Sequence, residues 1–564
     1  MTELNLADFD TFFHTLWGYA PFAWQRQLAE RVLTNEKAPW PQAIALPTAA
    51  GKTACIDIAV FALAAQAGRL ARGEVITAPR RIFFVVDRRV IVDAAYERAR
   101  SIAEKLHTAK EGILKTIADR LCQIAGGGDP PADETRPLAT HVLRGGMYRS
   151  EAWAHDPLQP TVVASTVDQI GSRLLFRAYG RGPGMWPVYA GLIANDSLIF
   201  LDEAHCAQPF LQTLNAVARY RSWAEQPLHR SFHPVVLSAT PPADTTDRFE
   251  DHSEQRRDPH HPLGRRQLAR KPARLVPVPA AKGKRATEQL SKALVKQATA
   301  LIGTDRQAIV IFVNRVATAR RVYALLEKYS AFDRVLLTGR MRPADKDFVI
   351  AHQLQALSSS RSTRRNLKRP VMVVATQTLE VGADLDFDAL VSECASLDAL
   401  RQRFGRLNRM GRDIDTQAAI LVRGDQQDSS DDDPVYGAAL STTWVWLNQQ
   451  ADENQCVDFG IASLDDRLPD PQALAKMNAP SLNAPIMLPA HVDCLAQTAP
   501  IPEPSPEVGL FLHGPRATAA DRRRRRAFHR DRGNPPTAGH GGAHRARLPV
   551  PGSRQQYPVG RRGA

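Results

Sequence analysis

The chain has 564 residues, of which 44% are hydrophobic and 23% charged, values typical of globular proteins. This length exceeds what one hydrophobic core supports, so we expect several folded units. The net charge of +14 suggests nucleic-acid binding, but residues 516–564 hold thirteen Arg and two Asp, which contribute +11 of it. The rest of the chain is nearly neutral, so composition alone does not establish a nucleic-acid-binding surface.

The six cysteines are scattered and form no Cys-x-x-Cys pair. This pattern argues against a zinc site or a disulfide framework and predicts reduced thiols. The first residues lack the basic flank and apolar core of a signal peptide. No run of 18 apolar residues is present, so we expect no membrane span and a cytoplasmic location.

Residues 1–40 are helical in pattern and rich in aromatic side chains, and we interpret them as a helical cap on the first domain. Gln25 is a candidate for contacting adenine, because a side-chain amide offers a donor and an acceptor together.

A phosphate-binding loop is predicted at residues 46–53, LPTAAGKT, between a short apolar run and a segment with helical periodicity. In such a loop, backbone N–H groups and the positive end of the helix hold a polyphosphate. Lys52 then reaches the β- and γ-phosphates, and the Thr53 hydroxyl binds Mg²⁺. The pattern departs from the strict one at Leu46, where a first Gly is expected.

Several apolar runs in the first half predict buried strands of a parallel sheet, with polar residues at their carboxyl ends. Because ligands bind beyond the carboxyl ends of parallel strands, we expect these polar residues to lie close together. Residues 103–140, helical and then rich in Pro and Gly, are predicted to be an insertion. The apolar runs are 43–45, 81–86, 161–166, 198–201 and 234–237.

The domain boundaries are predicted from changes in composition. We expect a first domain at 1–245, a linker at 246–275, a second alternating unit at 276–425, an irregular extension at 426–515 and a disordered Arg-rich tail at 516–564. Strands of the second unit are expected near 308–313, 334–338, 371–376, 389–393 and 418–422.

Two adjacent carboxylates follow the apolar run that ends at residue 201. An NTPase needs Mg²⁺ to neutralise phosphate charge and a group that orients the attacking water, and Asp202 and Glu203 supply these roles. Such a pair also occurs at exposed strand ends. The buried run before it, and the phosphate loop earlier in the chain, favour the catalytic interpretation.

A basic helix is predicted in the second unit at residues 402–412, QRFGRLNRMGR. Arginines three residues apart lie on one helix face, and planar guanidinium groups suit phosphate oxygens. A solvated basic helix is the alternative. Gly405 is costly inside a helix, which favours a close approach of backbone at that point.

The order and spacing of the loop, Asp202-Glu203-Ala204-His205, Ser238-Ala239-Thr240 and the 402–412 helix resemble superfamily 2 helicases of the Asp-Glu-Ala-His type. Residues 376–388 and 402–409 further resemble the CRISPR-associated helicase–nuclease of type I interference systems. The helicase-first variety (type I-U/I-G-like), in which any nuclease domain follows the helicase, is the best fit. The resemblance covers about residues 20–515.

The resemblance implies an α/β fold with two tandem RecA-like parallel-sheet domains and ATP bound between them. ATP and Mg²⁺ would be held by Gln25, Gly51, Lys52, Thr53 and Asp202, with Glu203 and Gln402 at the reacting phosphate and Arg406 and Arg409 as arginine fingers. Gly382 and Asp384 would couple the cleft to the DNA groove, Ser238 and Thr240 would link hydrolysis to domain movement, and Arg88, Thr166, Asn314 and Thr376 would line the single-strand path.

The implied function is that of an ATP-dependent DNA helicase or translocase acting on single-stranded or displaced-strand DNA, with an RNA-guided CRISPR surveillance complex as partner. Two alternatives stay open. One is another superfamily 2 DNA or RNA helicase. The other is a non-catalytic nucleic-acid-binding remnant, which the altered loop and the Arg-rich tail would favour.

Nuclease activity is not expected from this chain. The family's nuclease is built on paired His and Asp ligands, and the His-Asp dipeptide here, His155-Asp156, is interpreted as a surface loop. A nuclease domain or protein in trans would then be needed for interference. The abrupt change to Arg-rich sequence at residue 516 resembles translation in a shifted reading frame, and a natural basic arm for DNA is the alternative.

Overall fold

Two β-sheets of the same strand order form the framework of the chain. The computed structural model describes residues 3–515, apart from 36–37, 48–49, 88, 128–134, 146–150, 205–206, 227, 229, 240, 243–244, 282, 360–364, 366, 381–383 and 428–432. The predictions made for Arg88, Thr240, Gly382 and the 516–564 tail therefore lie outside the described residues. Both sheets belong to one compact unit, Met1–Pro515.

The first sheet has the strand order β3-β4-β2-β5-β6-β1-β7, and all its neighbouring strands are parallel. The central strands are buried on both faces, as expected for a parallel sheet covered by helices. In chain order the strands are β1 Ala43–Ala45, β2 Arg81–Val86, β3 Ala139–Leu143, β4 Thr161–Thr166, β5 Ser197–Asp202, β6 Phe232–Ser238 and β7 Arg248–Glu250.

The described helices of this half cover both faces of the first sheet. They are α1 Leu6–Trp17, α2 Ala23–Thr34, α3 Cys55–Ala65, α4 Ala67–Ala71, α5 Arg89–Thr108, α6 Gly112–Ala125, α7 Val167–Leu174, α8 Trp186–Ala194 and α9 Gln208–Arg221. The segment predicted to be an N-terminal cap packs on the first half, since Phe9 of α1 lies edge to face on Phe61 of α3, with ring centroids 5.4 Å apart.

The helix after the phosphate loop is strongly apolar. Helical residues Lys52–Leu70 are long and apolar enough to cross a membrane by length and composition, and 67% of this stretch is buried inside the protein. Within the described residues it is the one stretch that passes this test. Its burial is that of a core helix, since α3 packs against α2 and α6.

The predicted insertion at 103–140 is wrong in part. Its helical portion consists of the end of α5 and the whole of α6, and Ile117, Leu121 and Ile124 of α6 are buried in the same core as α1 and α3. The segment ends at β3, an edge strand whose residues are mostly half-buried. A half-buried edge strand after Pro- and Gly-rich sequence carries little hydrophobic signal, which explains why the sequence did not reveal it.

The second sheet has the strand order β10-β11-β9-β12-β13-β8-β14, the same permutation as the first sheet shifted by seven strands. All neighbours are parallel except β14, which is antiparallel to β8. The five strands expected in this half are confirmed. The strands are β8 Pro272–Val278, β9 Ala308–Phe312, β10 Asp333–Leu337, β11 Val371–Ala375, β12 Ala389–Glu393, β13 Gln417–Arg423 and β14 Cys456–Asp458.

The predicted fold class, α/β with two tandem RecA-like domains, is thus confirmed. The described helices of the second half are α10 Pro262–Leu268, α11 Lys284–Ala300, α12 Val316–Leu325, α13 Pro343–Phe348, α14 Leu397–Phe404, α15 Ala439–Gln450, α16 Ile461–Asp465, α17 Pro471–Met477, α18 Pro489–Ala496 and α19 Val508–His513.

The segment expected to be a linker contributes a strand to each sheet, and the segment expected to be an extension contributes one strand to the second sheet. Residues 246–275 include β7 of the first sheet, α10 and the start of β8 in the second. The expected extension supplies β14, and then returns to the first half through α18 and α19. There the Phe511 carbonyl accepts a hydrogen bond from Thr213 Oγ1 at 2.7 Å, and the Met487 carbonyl accepts one from Tyr220 at 2.6 Å.

Candidate nucleotide-binding and hydrolysis site

The predicted phosphate loop follows β1 and leads into α3, as expected. Leu46, which stands where a glycine was expected, has a structural role. Its N–H donates to the Ser238 carbonyl at 3.2 Å, and its side chain is buried in the first core. Gly51 has φ +82° and ψ 32°, a left-handed conformation that favours glycine. A single 3₁₀ turn, Lys52–Ala54, then leads into α3.

Lys52 lies between the two predicted catalytic carboxylates. Its Nζ is 3.8 Å from Asp202 Oδ1 and 3.8 Å from Glu203 Oε1, and the side chain is 9% exposed. The ammonium has no hydrogen-bond acceptor among the described residues. Burial alone would lower the pKa of Lys52, but Glu203 and Asp202 raise it above its usual value. The group therefore stays charged, buried and short of acceptors, which a bound polyphosphate would supply.

Asp202 ends β5 and Glu203 follows it at the carboxyl edge of the sheet. Burial, opposed by Lys52 and reinforced by Glu203, raises the pKa of Asp202 to about 6. Glu203 has a positive φ of 53°, and its N–H donates to the Leu237 carbonyl at 2.9 Å. A positive φ in a non-glycine residue is strained, and such strain clusters at functional sites.

Residues of the second half form the opposite wall of this site. Gln402 of α14 donates from Nε2 to Glu203 Oε2 at 3.2 Å, which joins the two halves at the predicted catalytic base. A cavity beside this contact is lined by Pro47 and Ser238 from the first half, and by Lys271 and Gly405 from the second. The start of the 402–412 segment thus lies at Glu203 and shares this cavity with Pro47 of the phosphate loop.

The two predicted arginine fingers lie at the same wall but contact their own half. Arg406 is 7% exposed and donates to the carbonyls of Leu379 and Glu380, both at 3.2 Å. Arg409 Nε lies 3.4 Å from Asp384 Oδ1. The positive charge of Arg409 works against protonation of Lys52 and favours the ionised form of Asp202, and so opposes the rise in the pKa of both groups. Arg409 therefore lies near the site, although its own ion pair is with Asp384.

Gln25 is placed against the phosphate loop. Its Oε1 accepts a hydrogen bond from the Phe22 N–H at 2.8 Å, at the start of α2. Its Nε2 lies 3.3 Å from the position that a Cβ on Gly51 would take. The acceptor predicted for adenine is therefore used within α2, whereas Nε2 faces Gly51. Thr53 is half-buried at the loop, and Asp384 is exposed, where it accepts from Ser359.

Three of the residues predicted to line the single-strand path, Thr166, Asn314 and Thr376, are described in this structure, and all three are buried. Thr166 caps the start of α7 and is 4% exposed, and Thr376 is 3% exposed. The Asn314 amide donates to the Cys394 carbonyl at 2.8 Å and accepts from Arg403 Nη2 at 2.9 Å. Asn314 therefore serves an internal network, and its side chain is not presented to a strand.

The coupling residue Ser238 ends β6 and is 1% exposed. His155 and Asp156 are exposed, and Asp156 Oδ1 accepts from the Leu158 N–H at 3.0 Å, so the prediction of a surface turn there is confirmed. The described residues include no group of three or more His, Cys, Asp or Glu that could hold a metal.

Sequence reasoning missed Arg403, the residue that anchors α14. Arg403 of α14 is fully buried and forms an ion pair with Glu380 at 2.8 Å. It also donates to Ser392 Oγ at 2.9 Å and to the Tyr436 hydroxyl at 3.0 Å. The arginine spacing in residues 402–412 could have singled it out, but Tyr436 lies far along the chain and carries no such signal.

Lys271 was also missed. It is fully buried beside the site, and its Nζ donates to the Phe404 carbonyl, at the end of α14, at 2.9 Å. Burial lowers the pKa of Lys271 to about 8, although Asp386 opposes this effect. The lysine precedes β8 in the segment expected to be a linker, so nothing in its sequence context pointed to the site.

The fold and the site together define a class of protein with two RecA-like domains and a candidate nucleotide-binding site between them. Two RecA-like sheets face each other across a phosphate loop, an Asp-Glu pair and a glutamine–arginine helix. Comparisons with known proteins narrow this class.

Residues 305–412 match the Cas3-like C-terminal family, described as CRISPR-associated nuclease/helicase Cas3, C-terminal. A curated relative, the putative CRISPR-associated nuclease/helicase Cas3 of Methanocaldococcus jannaschii, is 32% identical over 107 residues, 18% of this chain and 13% of that protein. The predicted resemblance to the CRISPR-associated helicase–nuclease family is therefore confirmed over residues 305–412.

The solved structures of T. fusca Cas3 share the fold. The ATP-bound structure has a TM-score of 0.53 and 18% identity, and the match covers 84% of this chain and 54% of that one. The ADP-bound structure has a TM-score of 0.52 and 17% identity over the same shares. The present chain thus spans about half the length of T. fusca Cas3.

Proposed function

We propose that this chain is an ATP-dependent DNA helicase or translocase that acts on single-stranded or displaced-strand DNA in CRISPR interference. The observation that carries the proposal is the Lys52 ammonium, buried without a hydrogen-bond acceptor in the described structure and held next to Asp202 and Glu203. The similarity to Cas3, which has been solved with ATP and with ADP, supports ATP as the nucleotide.

In this proposal, residues of the two halves bind the phosphates and activate the attacking water. Lys52 binds the terminal phosphates, and the Gly51 backbone shapes the loop around them. Glu203 orients the attacking water and accepts its proton, and Gln402 holds the Glu203 carboxylate from the opposite wall. In this proposal Arg406 and Arg409 turn toward the γ-phosphate when the cleft closes, as arginine fingers do.

The oxygen ligands present also fit Mg²⁺. Asp202 Oδ1 is buried without a hydrogen-bond partner among the described residues, and the Thr53 hydroxyl lies in the phosphate loop. Hard oxygen donors of this kind are what Mg²⁺ prefers. Bound there, Mg²⁺ would neutralise phosphate charge.

The proposed setting is the cytoplasm, with an RNA-guided surveillance complex as partner. Interference would then draw its nuclease from a further domain or from a protein in trans. Strand displacement on matched DNA and RNA forks tests the proposed substrate. We expect ATP-dependent displacement of DNA strands, whereas displacement of RNA alone would indicate an RNA helicase. Displacement of neither, without ATP hydrolysis, would favour the non-catalytic alternative.

A further inference from the structure

The N-terminal helical cap makes a polar contact with the phosphate loop. Trp24 of α2 is fully buried, and its indole Nε1 donates to the Ala50 carbonyl at 3.1 Å. Ala50 immediately precedes Gly51 and Lys52. The contact therefore connects a residue of the cap with the peptide group that opens the phosphate-binding segment.

The geometry of a peptide bond gives this contact a consequence. In a planar trans peptide the carbonyl and the N–H of the next residue point in opposite directions. The Ala50 carbonyl is directed into the protein at Trp24, so the Gly51 N–H is directed away from it. Within the described part of the chain, the Gly51 N–H donates to no protein acceptor.

The neighbouring Gln25 restricts the same peptide from another side. A Cβ on residue 51 would lie 3.3 Å from Gln25 Nε2 and 3.8 Å from the Phe22 ring, and the left-handed backbone there also favours glycine. Three consecutive positions of the loop, 48–50, carry Thr-Ala-Ala where extra glycines would give freedom. The Trp24 hydrogen bond and the Gln25 amide therefore restrict the orientation of this peptide from two sides.

We propose that Trp24 is a positioning residue that fixes the Ala50–Gly51 peptide, so that the Gly51 N–H is available to a nucleotide phosphate. The inference rests on the proposed function, since it assigns Trp24 to the same nucleotide site. Trp24 itself is too deeply buried to touch the nucleotide. It acts through the orientation of the peptide, and so it contributes to binding of the phosphates more than to the chemical step.

Titration calorimetry with ADP tests the inference on the full chain. Trp24→Phe keeps an aromatic ring and removes the donor, and we expect the Kd for ADP to rise about five- to tenfold, the effect of one lost buried hydrogen bond. At saturating ATP, kcat should change by less than about twofold, because the peptide mainly affects binding. Replacing Trp24 by benzothienylalanine keeps the bicyclic shape without the N–H and should give the same rise.

Trp153→Phe is the matched control. Trp153 is equally buried in the same half and stacks on Tyr189, but its Nε1 has no acceptor among the described residues. Its Kd for ADP should equal that of the wild type. An unchanged Kd in both Trp24 variants would overturn the inference while leaving the proposed function intact. Absence of ADP binding in the wild type would overturn the proposed function itself, and the inference with it.

Discussion

Glu203 combines two features that a purely structural carboxylate at a strand end would not need. Its backbone adopts a left-handed conformation, and its side chain accepts a hydrogen bond from Gln402 across the cleft. The strained backbone does not stabilise the fold, because a residue with a negative φ could follow β5 equally well. Both fix the carboxylate beside Lys52, where a reacting phosphate would lie.

Glu203→Gln should abolish turnover while preserving nucleotide binding. The amide keeps the shape of the side chain but cannot accept the proton of the attacking water, a loss on the order of 10²–10⁴-fold in kcat. Binding should persist, because Lys52 remains charged. ADP titration and steady-state ATP hydrolysis measured on one preparation check both parts. An unchanged kcat would contradict the role given to Glu203.

Lys271 predicts a specific dependence of stability on pH. Its pKa is about 8 in the folded chain, against a usual value of 10.5, because burial disfavours the ammonium. Between these two values the unfolded chain holds a proton that the folded chain has released, so the free energy of unfolding rises with pH. The full contribution is about 3 kcal/mol, from 1.36 kcal/mol per pKa unit.

The Lys271→Met variant should lose this rise. Denaturant unfolding near pH 7.5 and near pH 10 compares the two proteins, and other titrating groups cancel in the difference. Relative to Lys271→Met, the wild type should gain stability as pH increases. The same dependence on pH in both proteins would show that folding does not lower the pKa of Lys271.

Among the elements, α14 illustrates how the catalytic wall is held in place. Arg403 ties α14 to Glu380 after β11 and to Ser392 in β12, while Lys271 holds the carbonyl at its end. The helix has only eight residues, and so its position depends on these contacts more than on its own helical stability.

Arg403→Leu should therefore be strongly destabilising. Removing one partner of a buried ion pair leaves Glu380 without compensation, which costs about 3–5 kcal/mol. Arg342→Leu is the control, because Arg342 pairs with Asp345 on the exposed surface, where solvent screens the ion pair and its loss should cost far less. Chemical denaturation measures both. Equal losses in the two variants would mean that the Arg403 network does not anchor α14.

The elements also show how far sequence reasoning extends. The central strands were predictable because long apolar runs with polar ends are typical of buried parallel strands. Strands β3, β7, β8 and β14 were not. β7 and β14 have three residues each, and β8 begins with Pro272 and contains Pro277, which speak against a strand.

The same division applies to the candidate site. Lys52, Asp202, Glu203 and Gln402 were found because each belongs to a local pattern, and the structure brings them together. Arg403, Lys271 and Trp24 act through contacts between distant segments, which local sequence does not encode. The single-strand role given to Asn314 stays a prediction, and local sequence does not encode its burial either, because that burial depends on the packing of β12 and α14.

In the molecule as a whole, the C-terminal segment links the second half back to the first. After β14 and α17 in the second half, the chain places α19 against α7 and α9. Phe511 and Leu512 are buried in the core of the first half, and Arg177 donates to the Leu495 carbonyl at 2.6 Å. The chain crosses from the second half to the first between Ala479, whose N–H donates to Asp398, and Asn483, whose Oδ1 accepts from Gln212.

A double-mutant cycle tests how tightly this segment is seated. A Cβ on Gly171 of α7 would lie 2.3 Å from Leu512 Cδ2, so Gly171→Ala should cost about 1–3 kcal/mol by overpacking. In a Leu512→Ala background the same change should cost nothing, since the clash is gone. Equilibrium unfolding of the four proteins gives the coupling energy. Additive effects would show that α19 does not contact α7 in solution.

The central claim is that the two halves enclose a site where ATP is hydrolysed and that single-stranded DNA stimulates this hydrolysis. The most direct test measures the rate of ATP hydrolysis by the purified chain with and without single-stranded DNA. The account predicts a rate that single-stranded DNA stimulates and that Lys52→Ala removes, because Lys52 binds the phosphates. A rate that is absent in the wild type, or that persists in Lys52→Ala, would contradict it.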